Sequence, residues 1–322
     1  MSFSLFLGVI MMIDLHIHST FSDGSYSVDE ILEIAKKIGC TTISIVDHNT
    51  CEAYEYLKNL KNRIFEGKII SGCEFNTFYN HIPIELLGYD FNPELLKIEL
   101  EKMYKYSLEE LKCLEEEIFI RQCKKNQIKL ALDIYQKHEN DPLSSYLYKC
   151  LKHYPENINF FETEDDYNNP LVFYRKYMSN PNSVFFCNME QFFPTPEEVT
   201  ASIKKSGGKA FIPHIFEYGN RAEEVLNGLL KTVEIDGIEC FYSKFTVEQR
   251  NRMSEFARGN NLLISGGSDC HSGKHIKIGE GRGDLFIQPD MIGTWLQTAK
   301  DFNAERESEI NEKQNIKVRN YR

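Results

Sequence analysis

The chain has 322 residues, of which 42% are hydrophobic and 26% charged, and that balance excludes a disordered or collagen-like chain. Its length allows two ordinary domains or one barrel-sized domain with an insertion. The net charge of −11 argues against sequence-independent binding to long nucleic acid, which uses a basic face, and leaves room for a small anionic substrate held by metal ions. Nine cysteines stand singly with no C-x-x-C pair, so reduced thiols in a cytoplasmic protein are expected rather than a disulfide framework or zinc ribbon. No apolar run reaches the roughly 18 residues of a membrane span.

The apolar start, Met1 to Ile10, lacks the basic beginning and small-residue cleavage site of a secretory signal. Met11 or Met12 is therefore the expected start, with residues 1–11 as an extension. Met12 to His18 reads as a buried strand. Ser27-Val-Asp-Glu30 is a capping box that opens a helix over Ile31 to Ile38, ended by Gly39. A strand over Thr41 to Val46 runs into Asp47-His48-Asn49, and a second helix covers roughly 51–62. Strands follow at Lys68 to Ser71, with Glu74 just past it, and at Ile82 to Tyr89. Residues 95–181 differ in character. Charged helical segments over Leu95–Leu114 and Glu115–Lys137, then turns at Asp141-Pro142, Tyr154-Pro155 and Asn169-Pro170, predict a mainly helical insertion. Thr195-Pro196-Glu197-Glu198 reopens the strand–helix alternation. Strands are then expected at Lys209 to Pro213, within Val233 to Phe241, and at Leu262 to Ser265. Residues 301–322 read as a charged tail or terminal helix.

Alternating strands and helices predict a parallel sheet or barrel, with functional residues at the C-terminal strand ends. Ligand-type side chains gather at five such places: His16-x-His18 followed by Asp23, Asp47-His48, Gly72-Cys73-Glu74, Pro213-His214, and Ser268-Asp269-Cys270-His271. Histidines two apart on a strand face one side, so both rings of His16 and His18 can meet one metal. Imidazole suits Zn, Mn or Fe, and bridging carboxylates suit multinuclear hydrolytic centres. The other histidines have weaker claims. His138 and His153 fall in the insertion, and His81 and His275 are as readily surface residues.

Taken together, D-L-H-I-H-S-T-F-S-D-G, V-D-H-N, G-C-E, I-P-H and G-G-S-D-C-H resemble the polymerase and histidinol phosphatase (PHP) superfamily. Their order and spacing most resemble its small-nucleotide phosphoesterases that carry an inserted helical domain. The resemblance covers about 12–92 and 182–285. It implies an α/β fold, a distorted (β/α)7 TIM-like barrel over 12–94 and 182–300 with the helical subdomain inserted at 95–181. It also implies two or three divalent metal ions, Mn, Fe or Zn. By resemblance, His16, His18, Glu74 and Asp269 would hold one metal. Glu74 would bridge to a second with His214, and Asp23, His48 and His271 would hold the third. Glu85 stands where the family places another histidine of the second site. A carboxylate there still suits Mn or Fe.

The resemblance implies a phosphoesterase in which a hydroxide bridging two metals attacks phosphorus, with Glu74, His214, Asp269 and His271 at the reacting centre. The expected substrate is a small phosphomonoester, a nucleotide bisphosphate or the end of a short oligonucleotide. The Arg-Pro-His segment by which related insertions bind phosphate is absent between 95 and 190, where Arg121 and Arg175 are the only arginines. Lys244, Lys274, His275 and Arg282 are further candidates to meet substrate charge. Two alternatives stand beside this reading: a C–N hydrolase using the same metals, and a non-enzymatic relative whose insertion binds a partner.

Overall fold

A computed structural model describes residues 11–136, 142–306 and Ser308. The expected extension before Met11, His138, and the charged tail beyond Ser308 lie outside the described residues. The chain divides into two compact units. The first joins Met1–Asn76, Glu85–Lys102 and Pro196–Arg322, and the second joins Thr77–Ile84 and Met103–Thr195.

The first unit carries the strand–helix alternation. Strands β1 (Met12–Ile17), β2 (Cys40–Ile45) and β3 (Lys68–Ile69) form one parallel sheet in that order. A second sheet runs β4 (Gly72–Tyr79), β5 (Ile82–Tyr89), β6 (Lys209–Ile212), β7 (Gly237–Tyr242) and β8 (Leu263–Gly267). Within it β5 is antiparallel to β6, while β6, β7 and β8 are parallel. The expected closed seven-stranded barrel is not found among the described residues. Among the described residues, β-bridge pairing between the two sheets is limited to the single bridges Ile17 to Cys270 and His48 to Glu74. Closure needs continuous ladders, and a two-residue β3 and a reversed β5 do not supply them.

Local chemistry explains the elements. Helix α1 (Val28–Lys37) starts at a complete capping box: Ser27 Oγ accepts the Glu30 N–H and the Glu30 carboxylate accepts the Ser27 N–H. Its buried Val28, Ile31, Leu32 and Ala35 recur at helical spacing. They join Ile17, Ile43, Ile45 and Leu57 in one core. Helix α2 (Glu52–Asn59) contributes Tyr54, whose hydroxyl donates toward Ile45 O at 2.7 Å and accepts the Gly72 N–H at 2.8 Å. That buried phenol pins the corner from which β4 departs. β4 and β5 are joined by Asn80-His81, both at positive φ (48° and 65°), as a two-residue hairpin turn requires.

Helix α3 (Pro93–Met103) stops short of the expected Leu95–Leu114 segment. The chain breaks at 104–107, and α4 (Leu108–Lys125) begins at a second capping box on Ser107. The second unit has its own aromatic core. Phe119 of α4 and Leu147 and Leu151 of α5 (Leu143–Lys152) pack with Phe161, Phe173, Tyr177 and Phe185. Back in the first unit, α6 (Pro196–Lys205), α7 (Ala222–Thr232) and α8 (Val247–Gly259) alternate with β6, β7 and β8.

Candidate metal centre

The nine side chains singled out in the sequence, Glu85 by resemblance and the other eight by type and spacing, all lie in the first unit and gather around Glu74. His16 lies within β1 and His18 just past its end. Asp23 is in the loop before α1, and His48 follows β2. Glu74 and Glu85 sit inside β4 and β5 rather than after a strand. His214 follows β6, and Asp269 and His271 follow β8.

Glu74 Oε2 lies 3.4 Å from His16 Nε2, 3.2 Å from His18 Nε2 and 3.6 Å from His48 Nδ1, while Oε1 lies 2.9 Å from His214 Nε2. Asp269 Oδ1 is 3.5 Å from His16 Nε2 and 3.3 Å from His18 Nε2. Asp23 reaches His18 Nδ1 at 3.6 Å, His48 Nε2 at 3.7 Å and His271 Nε2 at 3.2 Å. Glu85 Oε2 is 3.3 Å from His214 Nε2. The donor atoms therefore form overlapping groups: His16, Glu74, His214; His16, His18, Asp269; His18, Asp23, His48, His271; and His48, Glu74, Glu85.

The carboxylates dominate the electrostatics. Burial opposes charge on the imidazoles, yet the facing carboxylates outweigh it: His18 and His214 are pushed up to about 9, and His16 well above the usual imidazole range. Burial would likewise raise Glu74, but His16, His18 and His214 hold it well below the usual carboxylate range. Asp269 is lowered as well, and Asp23 falls to about 2, chiefly through His271 against the cost of burial. Glu85 goes the other way, raised by burial and then by neighbouring Glu74.

Around these donors stands a set of buried polar groups. Glu239, fully buried in β7, was not singled out in the sequence. Its Oε1 is 2.9 Å from His16 Nδ1 and its Oε2 accepts the His214 N–H at 2.9 Å. An acid within the apolar run Ile238-Glu-Cys-Phe-Tyr242 was the available signal. Asp14 in β1 accepts the N–H groups of Ser268 at 2.8 Å and Gly279 at 2.7 Å, fixing the segment that carries Asp269 and His271. Asp47, expected beside His48 as a possible ligand, instead takes Ser19 N–H at 2.7 Å and the hydroxyls of Ser19 and Ser22, holding the loop that leads to Asp23. The Tyr242 hydroxyl donates to Asp269 Oδ2 at 2.8 Å, leaving Oδ1 to His16 and His18. Two of the nine residues, His214 (φ 22°) and Asp269 (φ 57°), have left-handed backbones, a strain that concentrates at functional sites.

Other sequence candidates fall elsewhere. His81 pairs with Glu190 at 2.6 Å in the second unit, and His153 meets Tyr135. Lys244 Nζ pairs with Glu217 at 3.2 Å, while Lys274, His275 and Arg282 are exposed.

The residues present fit divalent cations. Both ring nitrogens of His18 and Nδ1 of His214 are buried without a hydrogen bond, although carboxylate oxygens stand near the His18 nitrogens. Donors placed at metal-bonding distance around one tetrahedral ion lie about 3.4 Å apart, close to the separations seen here. Imidazole nitrogens and carboxylate oxygens are the donor set of Mn, Fe and Zn.

The PHP domain model matches residues 14–182. The chain belongs to the PHP domain family. It is a hydrolase. This PHP chain is 25% identical over 270 residues to the phosphoribosyl 1,2-cyclic phosphate 1,2-diphosphodiesterase of Eggerthella lenta, covering 81% of this chain and 94% of that one. It is 24% identical over 260 residues to a 5′-3′ exoribonuclease of Haemophilus influenzae, covering 80% and 89%. Among solved structures it shares its fold with an amidohydrolase of Chromobacterium violaceum carrying bound sulfate and no metal. That likeness has a TM-score of 0.60 at 17% identity and covers 89% of this chain and 95% of the other.

Proposed function

We propose that this PHP hydrolase is a metal-dependent phosphoesterase acting on a small phosphorylated substrate, a nucleotide bisphosphate or the end of a short oligonucleotide. The observation that carries the reading is the gathering of five imidazoles and three further carboxylates around Glu74. His16, His18, Glu74 and Asp269 would hold one cation. Glu74, His214 and Glu85 would hold a second, and Asp23, His48 and His271 a third. Bound divalent cations supply Lewis-acid polarisation of a phosphoryl oxygen and activate water at neutral pH.

The chain's own residues do the arranging. Glu74 reaches four histidines with its two oxygens, so it would help hold both of the first two cations. Tyr242 fixes which oxygen of Asp269 faces His16 and His18. Asp47, through Ser19 and Ser22, sets the loop that brings Asp23 to His271. With a net charge of −11 the chain offers little for a long polyanion, which favours short substrates. The names of the Eggerthella and Haemophilus relatives, one for a cyclic ribose phosphate and one for RNA ends, support a substrate in which phosphate is carried on ribose. Nine free cysteines, eight of them buried, support a reducing, cytoplasmic setting. Among the described residues no helix is long and apolar enough to cross a membrane.

The test pairs elemental analysis of the protein purified with Mn, Fe or Zn with phosphate release from nucleoside bisphosphates, short oligonucleotides and sugar phosphates. Two or three bound ions, with release from one class that His16→Ala abolishes, is the expected result. Bound metal without release from any ester would overturn the phosphoesterase reading, and no metal under any supplement would overturn the centre itself.

A further inference from the structure

We propose that Glu239 is the positioning residue of the centre, one carboxylate that sets the ring of His16 and the backbone of His214 together and so couples two cation positions. The inference rests on the metal-centre reading above and adds to it a group outside the nine donors.

The geometry is specific. Glu239 is fully buried, and each of its oxygens is used once. Oε1 meets His16 Nδ1 at 2.9 Å. A carboxylate oxygen accepting there makes Nδ1 the protonated ring nitrogen. With a cation bound, Nε2 would be the nitrogen that presents its lone pair, on the side facing Glu74 and Asp269. Oε2 accepts the His214 N–H at 2.9 Å. His214 has φ 22°, a conformation that a side-chain-bearing residue enters only when its surroundings compel it. The Glu239 acceptor is one such compulsion, and the His214 ring then meets Glu74 Oε1 at 2.9 Å. Glu239 thus acts from behind on two histidines carried by different strands, both of which touch Glu74.

Glutamine separates this role from simple space filling. It matches glutamate in shape but has one acceptor oxygen. If the amide nitrogen faces His214, two N–H groups abut and the strained backbone loses its acceptor. If it faces His16, Nδ1 must accept, and the ring proton moves to the Nε2 that faces the cation position. Either outcome removes one properly presented donor.

The experiment is a metal titration of the full chain against a competing chelator, with elemental analysis of stoichiometry and thermal melting of the metal-free protein. Wild type, Glu239→Gln and Leu229→Ala are compared. Leu229 is fully buried in α7 and reports what a loss of stability alone does to affinity. The expected result is about a 10–100-fold weaker affinity in E239Q, the size seen when a group behind a metal-ligating histidine is changed, with L229A binding as wild type does. Affinity in E239Q equal to wild type would overturn the proposal, as would an equal weakening in L229A. Should E239Q fail to fold, Glu239→Asp takes its place under the same expectation, since it keeps the charge but draws both oxygens back by one methylene. A wild-type chain that binds no metal would instead refute the metal-centre reading, so the two failures are distinct.

Discussion

At the scale of single residues, the centre is unequal in its parts. Glu74 stands within 3.6 Å of four imidazoles, whereas Glu85 comes that near to His214 and shares a looser group with His48. Removing the Glu74 charge should therefore disturb several cation positions, and removing that of Glu85 only the one beside His214. Glu74→Gln is expected to lose more than one ion by elemental analysis and to lower phosphate release by more than about 100-fold, beyond the cost of changing a group that only supports a ligand. Glu85→Gln is expected to lose one ion at most and to keep measurable activity. Equal metal content in the two variants would show that Glu74 is not shared between positions. The nine proposed donors stood out in sequence, eight because imidazoles and carboxylates near strand ends are conspicuous against an apolar strand pattern and Glu85 through the family resemblance, and the structure gathers them around Glu74. Glu239, Asp14 and the true partner of Asp47 were not. Each is an ordinary acid in sequence, and its role is set by groups up to 265 residues away, as with Asp14 and Gly279.

At the scale of elements, the local signals served well where they were local. The Ser27 box and the proline start of α6 each act within four residues, and each element begins where its signal stands. The Ser107 box was equally local but lay inside a charged run that reads as continuous helix, so the break before α4 was missed. Pairing between strands is not local, which is why two sheets with a reversed β5 could not be read from alternation alone. The junction of β8 with β1 shows how tightly these distant partners constrain each other. A Cβ on Gly267 would lie 2.3 Å from both Cβ and N of His16. Backbone atoms cannot swing aside, so Gly267→Ala must push β8 from β1 or shift His16. A destabilisation of about 1–3 kcal/mol is expected by chemical denaturation, with weaker metal binding alongside it. If G267A is as stable as wild type and binds metal unchanged, the approach of the two strands is looser than described.

At the scale of the whole molecule, the two units have separate cores and separate sensitivities. All nine proposed donors lie in the first unit, so metal bound by them would stabilise that unit. At free metal about 100 times the dissociation constant the gain is about 2.7 kcal/mol. The second unit contains no member of the cluster, but it holds a half-buried acid. Glu115 on α4 is raised by burial to about 7, against about 4.3 for a glutamate in an unfolded chain. Between those two values the folded unit binds more protons than the unfolded chain. Its stability therefore falls as pH rises from about 4.3 to about 7 and is level above that. Partial exposure of the side chain limits the loss to about 1–3 kcal/mol. Calorimetry should accordingly resolve two transitions. Chelator should lower the transition of the first unit and leave the other in place. Moving from pH 5 to pH 8 should lower the transition of the second unit in wild type, and Glu115→Gln should remove most of that difference. If E115Q follows wild type at both pH values, burial does not hold the Glu115 proton. If one transition responds to both chelator and E115Q, the two units unfold as one and the aromatic core of the second is not self-sufficient.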